Sequence, residues 1–214
     1  MAAECRPGTI RQMVWQTLNL QKAGTLLDTS ASPLTGDQRT IREQTGQLKW
    51  HDLQLPDLRT LARELRCPAI EEVQRADHAE GALQILLTHF GLTDPLLTEA
   101  SFITPIGTVL VPRTSLPHIV EKRADSRERY VRHAIDTLMG PFEIWRVAYT
   151  NGCWRLVYIN VYEAKNDMVV IVDVQNGEVL WNFFHAPSRS VNKHRHGELL
   201  FKRYEHELKE KGQP

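Results

Sequence analysis

Residues 142–162 read FEIWRVAYTNGCWRLVYINVY, and the fold turns on how they pair. Two runs rich in aromatic and β-branched residues, Phe142–Tyr149 and Cys153–Tyr162, flank Asn151-Gly152. Such runs form strands, and Asn-Gly between them is the strongest short hairpin signal. Two further strand-like runs follow, MVVIVDV (168–174) and VLWNFF (179–184), across links carrying Lys165-Asn166 and Asn176-Gly177. The pattern predicts a four-stranded antiparallel meander. Taking Asn151-Gly152 as a two-residue turn sets Trp145 opposite Tyr158 and Glu143 opposite Asn160. One face then carries Phe142, Ile144, Val157, Ile159, Val161, Val170, Val172, Trp181 and Phe183, which is a core. The other carries Glu143, Trp145, Tyr158, Asn160, Asp173 and Asn182. That second face is either a ligand face, because aromatics on a polar sheet stack bases, or a face covered by residues 46–98. A one-residue slip exchanges the two faces.

Upstream, TVLVP (108–112) is a short strand, and Thr114 or Ser115 can cap a helix with Pro117 in its first turn. That helix is expected to run to about Leu138, where Gly140-Pro141 ends it. The fold class is therefore α+β: a long helix packed on a four-stranded antiparallel meander, with a helical N-terminal extension. On a helical wheel of about 100° per residue, Ile119, Val120, Tyr130, Val131, Ala134 and Leu138 form one apolar stripe. Arg123 and Arg127 fall inside it, and His118, Lys122 and Arg129 fall near the opposite side. A cation aimed with the core needs a partner. Internal salt bridges satisfy that need, and so does a cleft that receives an anion.

Working outward, residues 1–45 are poorly patterned, with a helix expected over Thr9–Lys22 and a linker after it. Residues 46–97 read as short helices before the core, over LPDLRTLAREL and AEGALQILLTHFG, where Gly91 suits the position after a helix end. Residues 98–186 form the α+β domain. Residues 187–214 are a polar tail whose spacing allows one helix, Glu198–Lys209. His194 and His196 in that tail are expected to be solvated rather than metal ligands. The 214 residues hold 26 Lys plus Arg against 26 Asp plus Glu, so any nucleic-acid contact must come from a local patch. Cys5, Cys67 and Cys153 are odd in number and far apart, with no metal or disulfide spacing. No apolar run approaches the roughly 18 residues of a membrane span, and the first residues lack the apolar core of a signal peptide. Gly-rich phosphate loops, Ser-His-Asp arrangements and paired cysteines are also missing, which sets aside nucleotide hydrolysis, serine and redox chemistry.

His118, Lys122, Arg123, Arg127, Glu143, Tyr158 and Asn182 together suit RNA cleavage by the 2′-hydroxyl. That reaction needs a base, an acid and cations on the pentavalent phosphorus, and no cofactor. The segments TPIGTVLVPRTSLPHIVEKRADSRERY, TLMGPFEIWRVAY, RLVYINVYEA and VLWNFF resemble the phage-associated branch of the barnase–EndoU–colicin–RelE-like nuclease superfamily. That domain commonly closes phage Mu F-like head morphogenesis proteins. The resemblance spans about residues 80–201. It implies a metal-independent endoribonuclease, toxin- or effector-like and of phage or prophage origin, acting on RNA such as tRNA. His118 would transfer protons, Arg123 and Arg127 would bind the phosphate, and Lys122 would assist. Glu143 would be the second acid/base group or orient an arginine. Trp145 and Tyr158 would stack a base, and Asn160 and Asn182 would complete substrate binding. A toxic domain implies an immunity protein covering the Trp145/Tyr158 face. The protein is expected in the bacterial cytoplasm or carried in the virion. The rival expectation is a non-catalytic head-morphogenesis accessory that meets a capsid or portal partner through the basic helix. Simple RNA binding without cleavage is a third.

Overall fold

A computed structural model describes residues 41–121, 125–174 and 179–204, the side chains of Val179 and Trp181 excepted. The expected helix over Thr9–Lys22, and Lys122 and Arg123, lie outside the described residues. Among the described residues seven strands make one sheet: β1 (Glu99–Thr104), β2 (Gly107–Pro112), β3 (Glu143–Ala148), β4 (Trp154–Asn160), β5 (Asp167–Asp173), β6 (Val179–Ala186) and β7 (Glu198–Lys202), in the order β1-β2-β6-β5-β4-β3-β7. The expected meander β3–β6 is present, but the sheet is wider than four strands. β7 extends it antiparallel beside β3. The β1–β2 hairpin extends the other edge, where Leu110 of β2 meets Val179 of β6 in parallel.

The β3–β4 turn corrects the expected register. Tyr149 N donates to the Cys153 carbonyl (2.8 Å) and Gly152 N to the Tyr149 carbonyl (3.0 Å). The loop is therefore three residues, Thr150-Asn151-Gly152, with Gly152 at φ 80°. A turn closed by a left-handed residue is the common three-residue hairpin solution. It moves every pair by one: Glu143 faces Ile159, Ile144 faces Tyr158 and Trp145 faces Val157. Tyr158 thus points with the helices, and Trp145 points away from them.

The helices differ from expectation too. α1 (Ala79–His89) forms as its spacing predicts, and Gly91 follows at φ 74°. The single long helix does not form. Its ends are α2 (Leu116–Val120) and α3 (Val131–Met139), and between them Ser126 adopts φ 43°, ψ 48° before a 3-10 turn, Arg127–Tyr130. A left-handed residue other than glycine ends helical progression. LPDLRTLAREL gives two 3-10 turns, Leu58–Thr60 and Arg63–Leu65, rather than a helix. Over Glu198–Lys202 the expected tail helix, Glu198–Lys209, is instead strand β7. The unpaired edge of β3 supplies hydrogen bonds that override a short helical pattern. Gly197, at φ 104°, starts β7 so close to the Arg146 carbonyl that any Cβ would overlap it.

Both faces of the sheet are covered. On one, Leu86, Phe90, Val131, Ala134 and Leu138 pack on Ile144, Tyr158, Val170 and Phe183. On the other, Leu58, Leu61 and Val191 of α4 (Ser188–Val191) cover Trp145, Val157, Ile159 and Val169. Each large apolar side chain buried this way contributes about 1.5–3 kcal/mol. The second core encloses an ion pair. Arg195 and Glu143 are both 0% exposed and meet through Nε–Oε2 (2.7 Å) and Nη2–Oε1 (2.6 Å). Trp145 Nε1 donates to Glu143 at 2.8 Å, and Arg195 Nη1 donates to the Pro56 carbonyl and to Asn192. The Trp50 ring lies under the guanidinium, 5.3 Å from its centroid.

Candidate functional site

Where β6 passes the Arg127–Tyr130 turn, polar side chains gather at the seam between helices and sheet. Ser126 is buried in its left-handed conformation, which costs about 1–2 kcal/mol for a residue with a Cβ. The turn it makes delivers Arg127 to the strand. Arg127 Nη1 donates to Asn182 Oδ1 (2.6 Å) and Nη2 to Asp125 Oδ2 (2.6 Å). Its Nε is buried and has no hydrogen-bond partner among the described residues. The Arg127 side chain is 15% exposed and that of Asp125 47%, so the pair opens to solvent on the Asp125 side.

At the other end of the same turn, the Tyr130 ring stacks on His185 with centroids 3.7 Å apart and planes at 30°. His133 of α3 meets Tyr130 and Tyr162 edge-on, at 5.9 Å and 5.1 Å. Glu72 pairs with Arg129 on the rim. Burial lowers the pKa of His185, with Glu72 raising it, Arg129 lowering it and Asp125 raising it. Burial also lowers that of His133, against the carboxylates of Glu72 and Asp136. The turn therefore carries a guanidinium fork at its start and packs at its end against imidazoles that favour the neutral form.

Burial is the first cause of a lowered pKa at His89, His133, His185 and His194 alike. Below their ordinary pKa of about 6.5 the unfolded chain binds more protons on these residues than the folded one, so stability falls with pH. The thermal midpoint is expected to drop between about pH 7 and about pH 5.5, ahead of carboxylate protonation. A midpoint that holds or rises over that interval contradicts this.

The structure brings Arg127 and Asn182 together and scatters the other sequence candidates. His118 lies on the exposed side of α2, its Nδ1 3.3 Å from Glu121 Oε2, in a shallow groove of about 600 Å³ shared with Glu80 and Pro117. α2 touches both β6 and the Arg127–Tyr130 turn. Glu143, Trp145, Tyr158 and Asn160 are each 0% exposed; Leu58 and Leu61 lie over Trp145, so of the two expectations for that face the covered one holds there, and the substrate-binding roles expected of Trp145, Tyr158 and Asn160 meet no open surface. Tyr158 OH meets Thr104 Oγ1 at 3.2 Å inside the helix-side core. Asn160 donates to Asp136 (3.0 Å) and Tyr162 OH (3.2 Å) and receives Val161 N. Neither ring offers a surface to a base. The tail histidines are placed rather than loose: His196 Nε2 is 3.0 Å from Glu43 Oε2, and His194 packs against Phe184. Sequence reading missed His133, His185 and the buried Arg195. Of these, His185 carried one signal: alternation from Phe183 puts it on the core face.

The sequence profile of the family described as phage-Barnase-EndoU-ColicinE5/D-RelE like nuclease2 matches residues 85–202, more than half of the chain. The chain belongs to this family. The matched span of this phage-type nuclease domain begins within α1 and ends with β7, so it includes the Arg127–Asn182 seam and His185. Residues 41–84 lie outside it, and with them Trp50, Leu55, Leu58, Leu61 and Leu65, which cover the second sheet face. No curated protein and no solved structure matches the chain. Among the described residues no helix of this nuclease-family protein is long and apolar enough to cross a membrane.

Proposed function

We propose that this chain is an endoribonuclease of phage or prophage origin, toxin- or effector-like, that cleaves RNA through its own 2′-hydroxyl without a metal ion. The observation carrying this reading is the Arg127 guanidinium, held by Asn182 at the seam of a nuclease-family domain. A planar fork binds two phosphate oxygens. Asp125, half exposed, holds the place that a scissile phosphate takes when RNA arrives. Arg123 and Lys122, close in sequence, add cations. His118 is the proton-transfer residue, protonating the 5′-oxygen as it leaves. Cations and imidazoles supply every role the transesterification requires.

The rival reading, a non-catalytic head-morphogenesis accessory, has one observation in its favour: Asp125 and Asn182 already engage both terminal nitrogens of Arg127. The deciding experiment incubates the purified protein with total tRNA and a labelled single-stranded RNA in excess EDTA, beside His118→Ala. Cleavage that leaves 2′,3′-cyclic phosphate ends, and is lost in the variant, is the expected result. Intact RNA at high protein concentration, with the fold verified by circular dichroism, favours the accessory.

A further inference from the structure

Side chains two residues apart on a helix point away from each other. Asp125 and Arg127 have that spacing, yet they meet at 2.6 Å. Between them Ser126 turns the chain through a left-handed conformation, φ 43° and ψ 48°. Backbone strain is thus held at one contact between near neighbours. The partners of Arg127 are unequally placed. Asn182 is rooted in β6, and its Oδ1 also receives the Phe183 amide. Asp125 is the outer partner, its side chain 47% exposed against 15% for Arg127. A guanidinium so enclosed requires an anion. Nη2 is therefore the terminal nitrogen whose anion stands at the solvent and can be exchanged.

We infer that Asp125 is a built-in phosphate mimic that keeps the site self-inhibited in the free protein; this rests on the reading above, in its part that puts a phosphate on Arg127. A carboxylate oxygen offers Nη2 the same charge-assisted hydrogen bond as a phosphodiester oxygen. RNA binding is then an exchange of anions rather than the filling of an open site. The Asp125 carboxylate, already half exposed, turns into water, and a phosphate oxygen takes Nη2 while Asn182 keeps Nη1. The exchange selects its ligand. A neutral group that displaced Asp125 would leave the guanidinium enclosed without a counter-charge, which is costly. A charged phosphodiester replaces what it displaces. Asp125 therefore acts with the opposite sign to Arg127: removing it strengthens binding instead of weakening it.

The test reads binding apart from cleavage. The probe is a fluorescent single-stranded RNA with 2′-O-methyl riboses, which has no free 2′-hydroxyl to attack. Its affinity is measured by anisotropy, in EDTA, for wild type, Asp125→Asn, Arg127→Ala and the double variant. Asp125→Asn is expected to bind about 5-fold tighter than wild type. In the Arg127→Ala background the same change is expected to do nothing, because the contact it relieves is gone. Unchanged or weaker binding by Asp125→Asn, with Arg127→Ala weakened, overturns the mimic and leaves the phosphate role of Arg127 standing. Tightening that persists without Arg127 also overturns it, as simple loss of a negative charge. If Arg127→Ala binds like wild type, the mimic and the phosphate role fall together. If the expected affinities hold but unmodified RNA stays intact, the mimic stands and the nuclease reading falls. Should Asp125→Asn not fold, the wild-type protein decides. Its Asp125 carboxyl resonance must shift on adding the modified RNA, and one that stays fixed overturns the inference.

Discussion

Arg195→Ala is expected to cost about 3–5 kcal/mol of folding stability, the loss seen when one member of a buried ion pair is removed. Glu143 would remain, 0% exposed, with Trp145 Nε1 and Tyr204 OH as neutral donors. The Pro56 carbonyl and Asn192 would lose a donor as well. Against a typical total of about 5–15 kcal/mol, the variant is only marginally folded. Urea denaturation followed by circular dichroism measures it, and the midpoint should fall by about 1 M or more. The double variant Glu143→Leu with Arg195→Met tests the cause. Replacing both charges by apolar groups is often near neutral, so the pair should recover much of the loss. A single variant within about 1 kcal/mol of wild type would mean that water reaches Glu143.

Arg127→Ala is expected to lower kcat about 10²- to 10³-fold, the usual effect of removing one group that stabilises transition-state charge. The fold should tolerate the change, because Asn182 Oδ1 still receives the Phe183 amide at 2.9 Å and Asp125 is half exposed. Arg127→Lys should recover little, since an ammonium lacks the planar fork. The loss should appear equally in kcat and kcat/KM, the signature of a contact made in the transition state. An unchanged rate would assign Arg127 to holding Asp125 and Asn182 in place. Burst-free steady-state assays on the labelled RNA distinguish the two.

Strand existence was legible because Val, Ile and aromatic residues concentrate in four bounded runs. Within the β3–β4 hairpin the wedge between expectation and structure was one residue in one turn. Asn151-Gly152 suits a two-residue loop and a three-residue loop equally well as a local sequence. What selects the longer loop is the fit of both faces to their covers, which residues far away in sequence provide. Leu58, Leu61 and Val191 bury Trp145, and α3 buries Tyr158. Arg127 and Asn182 were legible as chemistry but not as neighbours until Ser126 turned the chain between α2 and α3. Arg195 looked like part of a solvated basic tail because composition alone shows nothing of a buried carboxylate more than fifty residues upstream. His185 falls on the core face with Phe183 in either register, and nothing in its type or spacing set it apart from a packed histidine.

The cover on the second sheet face sets how much chain makes a working unit. A fragment trimmed to the family span, residues 85–202, would delete Trp50, Pro56, Leu58 and Leu61 while keeping the strands they cover. Trp145, Val147, Val157, Ile159 and Val169 would then form a sticky apolar patch of the kind that drives aggregation, with Arg195 short of its carbonyl partner. Soluble expression of this domain therefore calls for a start near residue 41, well ahead of the part that recurs across the family.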